Sequence, residues 1–532
     1  MLQDNLLLVL TLLFVISILT MISGKLKIAY PIFLVIAGLL ISLIPGIPRI
    51  SLHPDLVFLI FLPPLLYAAA WNTSWNDFWR LKRPISLLGF GLVIFTSAAV
   101  AWISNLLIPD FSLAAGFLLG GIISPPDAIA ATSVLQGLKV PKRSITILEG
   151  ESLVNDAASL IVFRFALTAV LTGQFHMWEA TRTFFVVAVM GILIGLAIAH
   201  IVYAIHRFFP TTPAIDAAFT LISPYIMYIT AEHFHVSGVL SVVSGGLFLT
   251  FRSQDLFSYD ARIQVIGLWD TLVFLLNGFV FILIGLQLPE IVRGIEGYSV
   301  GQAITYGVII SLVTIAIRLI WVFPGAFIPR LLFKRIREKE PNPGWRNVLL
   351  VGWSGMRGVV SLASALAVPL TLTNNQAFPH RNLILFITFI VILITLVLQG
   401  LSLKPLIRIL KIKGDETQSE ELQALDLRLQ LARVVLAHMD GQYAREIEGN
   451  ETYKRVRDRY ARMIEITQKK LEAEEAADGQ QNFLPHYRQM LLELVDVRRR
   501  ELSRFRHTNT FSEELIRERE WELDLEEARL RR

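Results

Sequence analysis

Side chains able to do chemistry concentrate in one short block, Glu149-Gly150-Glu151-Ser152-Leu153-Val154-Asn155-Asp156, after which the chain stays apolar as far as Arg164. At helical spacing Glu149, Ser152 and Asp156 share one stripe, and Glu151 with Asn155 the adjacent one. Asp156 is the deepest carboxylate. With a hydroxyl one turn back and a carboxamide beside it, it offers hard oxygen ligands suited to a small alkali cation, too few and too neutral for a transition metal. Two more clusters stand in apolar surroundings: Ser124-Pro125-Pro126-Asp127, and Gly352-Trp353-Ser354-Gly355-Met356-Arg357-Gly358. An ionisable side chain at bilayer depth costs about 2.5 to 3.5 kcal/mol, so each one needs a reason to be there. Glu149 reads either as an interfacial residue at a helix start or as part of the site. Arg357 is expected to pair with Glu151, because an unpaired buried charge is expensive. Arg164 and Arg318 are expected to form similar structural pairs, and Asp270 to be a helix-end or dimer-side residue. Asp156, mid-helix beside an asparagine, resists such an architectural reading.

The elements that position these residues follow from composition. The 532-residue chain is 54% hydrophobic with 17% charged residues and no cysteine, which excludes disulfides, thiol chemistry and cysteine metal sites and points to a membrane protein. The average hides a seam. Residues 1–414 hold 46 charged side chains and carry +10, whereas the 118 residues from 415 onward hold 47 and carry −5. We therefore read a transmembrane domain over 1–410 and a cytoplasmic helical domain over 415–532. The basic overall charge carries no message about nucleic acid, and none is expected as a partner.

A spanning helix needs about 20 apolar residues. Thirteen stretches qualify: 5–22, 29–45, 55–71, 84–107, 111–136, 147–172, 183–207, 213–232, 236–251, 265–288, 299–328, 347–370 and 382–404. The first lacks the basic flank and cleavage site of a signal peptide and is expected to remain. With the N-terminus outside, the inner loops hold 17 Lys and Arg and the outer loops four, the asymmetry expected of a correct count. Spans five and twelve carry the Pro-Pro-Asp and Gly-Met-Arg-Gly clusters and should break there. Irregular backbone at that depth must line a cavity or be buried in protein, and paired breaks in corresponding halves point to a transporter site. Taking span seven as a linker gives two six-span halves of opposite topology, each broken at its fifth member. Asp127 is placed to offset the positive N-terminal end of one half-helix and Arg357 the negative C-terminal end of another.

The tail from Asp415 is helical and polar, with amphipathic helices expected around Leu422–Leu436, Tyr453–Glu475 and Phe483–Phe505, broken at Asp440-Gly441, Glu448-Gly449-Asn450 and Asp478-Gly479. It contains no phosphate loop, calcium loop or nucleotide motif. It reads as a solvated helical bundle or as a regulatory appendage.

At the quoted residues the chain resembles the sodium/proton exchanger family, in its NhaP-type bacterial branch of monovalent cation/proton antiporters. The resemblance runs through Phe61-Leu62-Pro63-Pro64-Leu65-Leu66, Ser124-Pro125-Pro126-Asp127, Gly150 to Ala157, Asn277 to Gly285, and Gly355-Met356-Arg357-Gly358. It implies an all-α membrane fold of about 13 helices in two inverted repeats with crossing broken helices 5 and 12, a homodimer, and elevator-like alternating access. It also implies that Asp156 is the ion and proton carboxylate, Ser152 a ligand, Asn155 its neutral partner, Asp127 the carboxylate of the unwound fifth span, and Glu151 with Arg357 the ion pair between spans six and twelve. Two departures matter. The family's usual Thr-Asp-Pro is here Pro126-Asp127-Ala128, leaving the Pro126 carbonyl in place of a hydroxyl. Ala68 stands where many members carry an acid, so the ion site should be leaner.

One carboxylate suffices for exchange. A bare carboxylate out of water is costly, so the site should hold either a proton or a cation, and poor movement of the empty site makes exchange obligatory. Asn155, where a second acid would add a titrating group, predicts electroneutral exchange. We expect a secondary antiporter of sodium, or alternatively potassium or lithium, for protons in the cell membrane, serving pH and sodium homeostasis. No cofactor is expected, nor an enzyme. A passive channel would conduct without proton coupling. An intramembrane aspartyl protease built on Asp127 and Asp156 would want a Gly-x-Gly-Asp motif, which is absent, and thirteen spans exceed what anchoring a sensor needs.

Overall fold

The computed structural model describes residues 2–44, 57–136, 138, 140–173, 177–295, 297–372, 376–412, 416–475, 483–507 and 513–531. Among them the chain is helical, apart from one isolated bridge between Thr371 and Ala377. It divides into two compact units, Met1–Glu416 and Thr417–Arg532.

In the first unit the main helices are α1 (Leu2–Leu26), α2 (Tyr30–Ser42), α3 (Leu62–Asn72), α4 (Val93–Leu107), α5 (Leu113–Ile123), α6 (Ala128–Leu135), α7 (Lys142–Thr172), α8 (Met177–Phe208), α9 (Pro213–His233), α10 (Gly238–Phe251), α11 (Tyr259–Leu286), α12 (Val300–Leu332), α13 (Trp345–Trp353), α14 (Val359–Leu366), α15 (Arg381–Ile394) and α16 (Gly400–Ile409). π-Helical turns at Val57–Phe61, Leu87–Leu92 and Thr395–Gln399 continue into α3, α4 and α16. Nine helical stretches among the described residues are long and apolar enough to cross a membrane; α2, α10 and the α3 segment are shorter apolar helices. The helices α13 and α14 are shorter again and flank the second irregular segment. Apolar side chains such as Leu7, Phe14 and Met21 on α1 and Phe185, Val189 and Leu193 on α8 are exposed, as contact with lipid requires and an aqueous surface would penalise.

Small residues set the closest helix approaches. Gly116 and Gly120 of α5 lie against the backbone of Ala101 and Ser97 on α4, leaving no room for a Cβ. Such contacts replace the hydrophobic drive that is missing between helices in lipid.

Both expected breaks form. Ser124 to Asp127 separate α5 from α6, and Ser354 to Gly358 separate α13 from α14. The two irregular segments meet: the Asp127 amide donates to the Met356 carbonyl at 2.7 Å. Gly358 packs so tightly on the Asp127 carboxylate that a Cβ there would collide with it. The Asp127 side chain caps α6, accepting from the amides of Ile129 at 2.8 Å and Ala130 at 3.4 Å. Asp and Asn are suited to this position because their short side chains reach the first free N–H groups of a helix.

The buried ion pair differs from the expected one. Glu151 is held by Arg318 of α12, not by Arg357, in a two-pronged pair at 2.5 and 2.9 Å with both side chains 1% exposed. Arg318 also donates to the carbonyls of Gly352 at 3.2 Å and Val351 at 3.1 Å, at the end of α13. Arg357 is engaged elsewhere. Its Nε donates to the Ile123 carbonyl of α5 at 2.7 Å, its Nη1 to the Gly355 carbonyl, and its amide to Thr395 Oγ1 at 3.1 Å. Two broken helices leave two sets of open carbonyls; one arginine serves each set, and the one on α12 also reaches the glutamate.

The second unit contains α17 (Glu416–Gln442), α18 (Glu451–Glu475), α19 (Phe483–His507) and α20 (Glu513–Arg531). The first runs through Asp440-Gly441 rather than ending there, and α20 was not anticipated; Asp478-Gly479 lies outside the described residues. Exposed ion pairs such as Arg457 with Asp440 and Arg498 with Glu526 decorate it.

Breaking a buried pair by removing one partner costs about 3–5 kcal/mol, whereas replacing both partners with neutral groups costs far less. Arg318→Gln and Glu151→Gln should each lower the thermal midpoint of detergent-purified protein strongly, and the double variant should recover most of the loss. Equal and additive losses would show that the pair does not act as a unit.

Candidate functional site

A cavity of about 200 Å³ lies beside the crossing of the two breaks, and Asp156 lines it together with Ser152, Glu149, Pro126, Asp127, Gly358 and Ser361. α7 positions the three acidic and hydroxyl side chains: one helical stripe carries Glu149, Ser152 and Asp156 into the cavity in the order the sequence spacing dictates. Further lining comes from Phe61, from Leu65 and Leu66 of α3, and from Val273 and Asn277 of α11. From Asp156 the lining runs about two turns back along α7 to half-buried Glu149, and to exposed Asn72 at the end of α3, where the cavity reaches the protein surface.

Asp156 is 7% exposed and Asn155 fully buried. Asn155 does not face the cavity as a free ligand. Its Nδ2 donates to the Pro126 carbonyl at 3.2 Å, which ties α7 to the first break and leaves that carbonyl one lone pair for another donor or a cation. Ser152 Oγ accepts from the Ala128 amide at 3.4 Å, so its hydroxyl proton remains to donate and its second lone pair to ligate. Asp127 has one carboxylate oxygen committed to capping α6 while its side chain still borders the cavity. The buried arginines nearby are both occupied, Arg318 by Glu151 and helix carbonyls and Arg357 by carbonyls alone. That leaves Asp156 without a protein counter-ion of its own among these groups.

The remaining predicted residues lie apart from the cavity. Arg164 pairs with Glu232 of α9 at 2.6 Å in a partly exposed bridge, and Asp270 of α11 is exposed. Among the described residues no three His, Asp or Glu side chains gather as a metal site would require.

Asn277, which stands out in the sequence only inside a motif, and Ser361, which does not stand out there, both line the cavity with buried polar side-chain atoms that have no hydrogen-bond partner in the protein. The signal was present: a carboxamide inside an apolar span is as unusual as a charge, since its polar atoms must be satisfied at bilayer depth.

Residues 9–409 match the sodium/hydrogen exchanger transmembrane family. The chain is 34% identical over 382 residues to the "sodium, potassium, lithium and rubidium/H(+) antiporter" of Bacillus pumilus, an alignment covering 70% of this chain and 57% of that protein. It is 31% identical over 417 residues to the "Na(+)/H(+) antiporter ApNhaP" of Aphanothece halophytica, covering 78% and 76%. The fold is similar to that of the sodium proton antiporter MjNhaP1 from Methanocaldococcus jannaschii, with a TM-score of 0.61 and 20% identity over 77% of this chain and 99% of that one. A buried carboxylate at the crossing of two broken helices, in a chain matched along its whole membrane part, places this protein in the sodium/hydrogen exchanger family.

Proposed function

We propose that the chain is a secondary antiporter that exchanges a monovalent cation for a proton at Asp156. Sodium is the first candidate, with potassium and lithium as alternatives. The observation that carries this reading is the cavity that leads to Asp156, whose neighbouring arginines are engaged with other partners. A carboxylate so placed is stable with a proton or with a cation, and poorly stable bare. Ser152, the free lone pair of the Pro126 carbonyl and Asp127 complete the oxygen set that receives the cation. Asn155 holds the broken span in register through Pro126 and adds no second titrating group, so one proton is exchanged for one cation. The relatives named above support the same chemistry.

In this reading the thirteen helical stretches span the cell membrane as two inverted six-span repeats. The N-terminus is outside, and the cavity mouth at Asn72 and Glu149 faces the cytoplasm. Two copies assemble as a homodimer in lipid, with exposed Asp270 among the candidates for the contact. The cytoplasmic helical unit regulates transport. No cofactor takes part, because the imposed ion gradient supplies the free energy.

The test is purified protein in proteoliposomes with an imposed pH gradient and a dye for internal pH. Addition of sodium, potassium or lithium should dissipate the gradient, and Asp156→Asn should abolish the response. A passive channel would pass cations with no pH signal, and an Asp156→Asn variant as active as wild type would overturn the assignment. Because proton and cation compete for one carboxylate, the apparent KM for the cation should rise as pH falls while kcat changes less. Exchange should be insensitive to a clamped membrane potential. Asn155→Asp, by adding a second carboxylate, should introduce a potential dependence or stop transport, and potential-driven exchange by the wild type would refute the one-for-one stoichiometry.

A further inference from the structure

Apart from the ion cavity, a second cavity of about 260 Å³ lies where the segment before α4 and the start of α7 meet the end of α12 and the loop leading to α13. Its inner wall is apolar, with Leu88, Ile147 and Val351, and its rim carries three arginines, Arg83, Arg143 and Arg330, with one carboxylate, Glu340. Arg83 grips Glu340 with Nε at 2.9 Å and Nη2 at 2.6 Å, and its Nη1 donates to the Gly325 carbonyl at 3.4 Å. Arg143 stands 3.9 Å from the same carboxylate and donates to the Pro341 carbonyl at 3.2 Å. Arg330 donates to the carbonyls of Glu340 at 2.5 Å and Pro341 at 2.8 Å.

One carboxylate therefore answers three guanidiniums, and neutral carbonyls take the rest. The Arg83 and Arg143 guanidiniums hold the Glu340 carboxyl below its usual range, a sign that the local field favours negative charge. Arg143 Nε is buried and has no partner. Arg80 adds further positive charge to this field. Guanidinium forks match phosphate oxygens two at a time, and partly buried charges are weakly screened by salt.

We propose that this cavity binds the phosphate of an anionic ligand, with Arg143 and Arg330 as donors and Glu340 as an internal carboxylate that competes with the ligand for Arg83. A cationic rim over an apolar slot between membrane helices suits a phospholipid, phosphate on the arginines and acyl chain along the slot, better than free phosphate.

Full-length protein purified in detergent and exchanged against mixed phosphatidylglycerol and phosphatidylcholine micelles, with retained lipid quantified by mass spectrometry, tests this. Wild type should retain phosphatidylglycerol selectively, and Arg143→Gln with Arg330→Gln should bind it about tenfold more weakly. Glu340→Gln should bind it more tightly, because Arg83 is released to the ligand. Lys25→Gln with Lys27→Gln, exposed charges on the same predicted side, should retain it like wild type. Thermal stabilisation by inorganic phosphate without phosphatidylglycerol retention would assign the site to a soluble phosphate and remove the lipid. Equal phosphatidylglycerol retention by wild type and the double arginine variant would overturn the proposal. So would weaker retention by Glu340→Gln, since a purely structural tie is damaged, not freed, by loss of its carboxylate. Should the double variant fail to fold, Glu340→Gln decides alone.

Discussion

Two helices broken at bilayer depth leave open peptide groups that lipid cannot satisfy, and the arrangement of charges in this protein follows from that constraint. The breaks answer each other directly where the Asp127 amide meets the Met356 carbonyl. Their remaining ends are met by three charged side chains: Asp127 at the start of α6, Arg357 at the end of α5, and Arg318 at the end of α13. Each charge lies where the partial charge of a helix end has the opposite sign. The crossing is thus a closed network, and the charges in it are fixed by architecture before any ion arrives.

That closure is what makes Asp156 distinct. Glu151, two residues after Glu149 on α7 but on the neighbouring stripe, points away from the cavity into Arg318 and is neutralised as an ion pair. Asn155, on the same stripe as Glu151, spends its amide on Pro126. Asp156 alone combines burial with access to the cavity and no arginine bonded to it among these neighbours. A carboxylate paired with a guanidinium would release neither its partner nor its charge, so the exchange proposed for Asp156 requires that both arginines be engaged elsewhere, as they are here.

Features encoded within a few residues were legible in the sequence. Pro125-Pro126 and the glycines around Arg357 announce the two breaks, the spacing in α7 announces the stripe, and the apolar stretches announce the helices. Partner choice between distant elements was not. Arg318 and Glu151 are 167 positions apart, and nothing local distinguishes Arg318 from Arg357 as the glutamate's partner; the choice depends on which guanidinium the packing of α12 brings into reach. Arg83 and Glu340, 257 positions apart, present the same difficulty: Arg83 was legible only as one of the loop cations that set orientation, and Glu340 not at all. Asn277 failed for a different reason. It carries no charge to set it apart from its apolar neighbours, although a neutral amide is costly in hydrocarbon as well.

The ion pairs also differ in how readily they can be broken, and that difference follows the division an exchanger needs. Glu151 with Arg318 is fully buried, and with Arg357 and Ile123 it ties α5, α7, α12 and α13 into one group around Asp156. Separating it would strand a charge, so these helices must move together if they move at all. The cavity lining contributed by α3 and α11 is mainly apolar, and apolar surfaces can slide without leaving charges unpaired. The Arg164–Glu232 bridge, which joins α7 to α9, is exposed to 46% and 31%. Bridges of that kind contribute about 0–1 kcal/mol, little enough to be made and broken within a transport cycle. In the exchanger reading, the group carrying Asp156 is rigid because its charges are buried, and its bridge to α9 is loose because those charges are exposed.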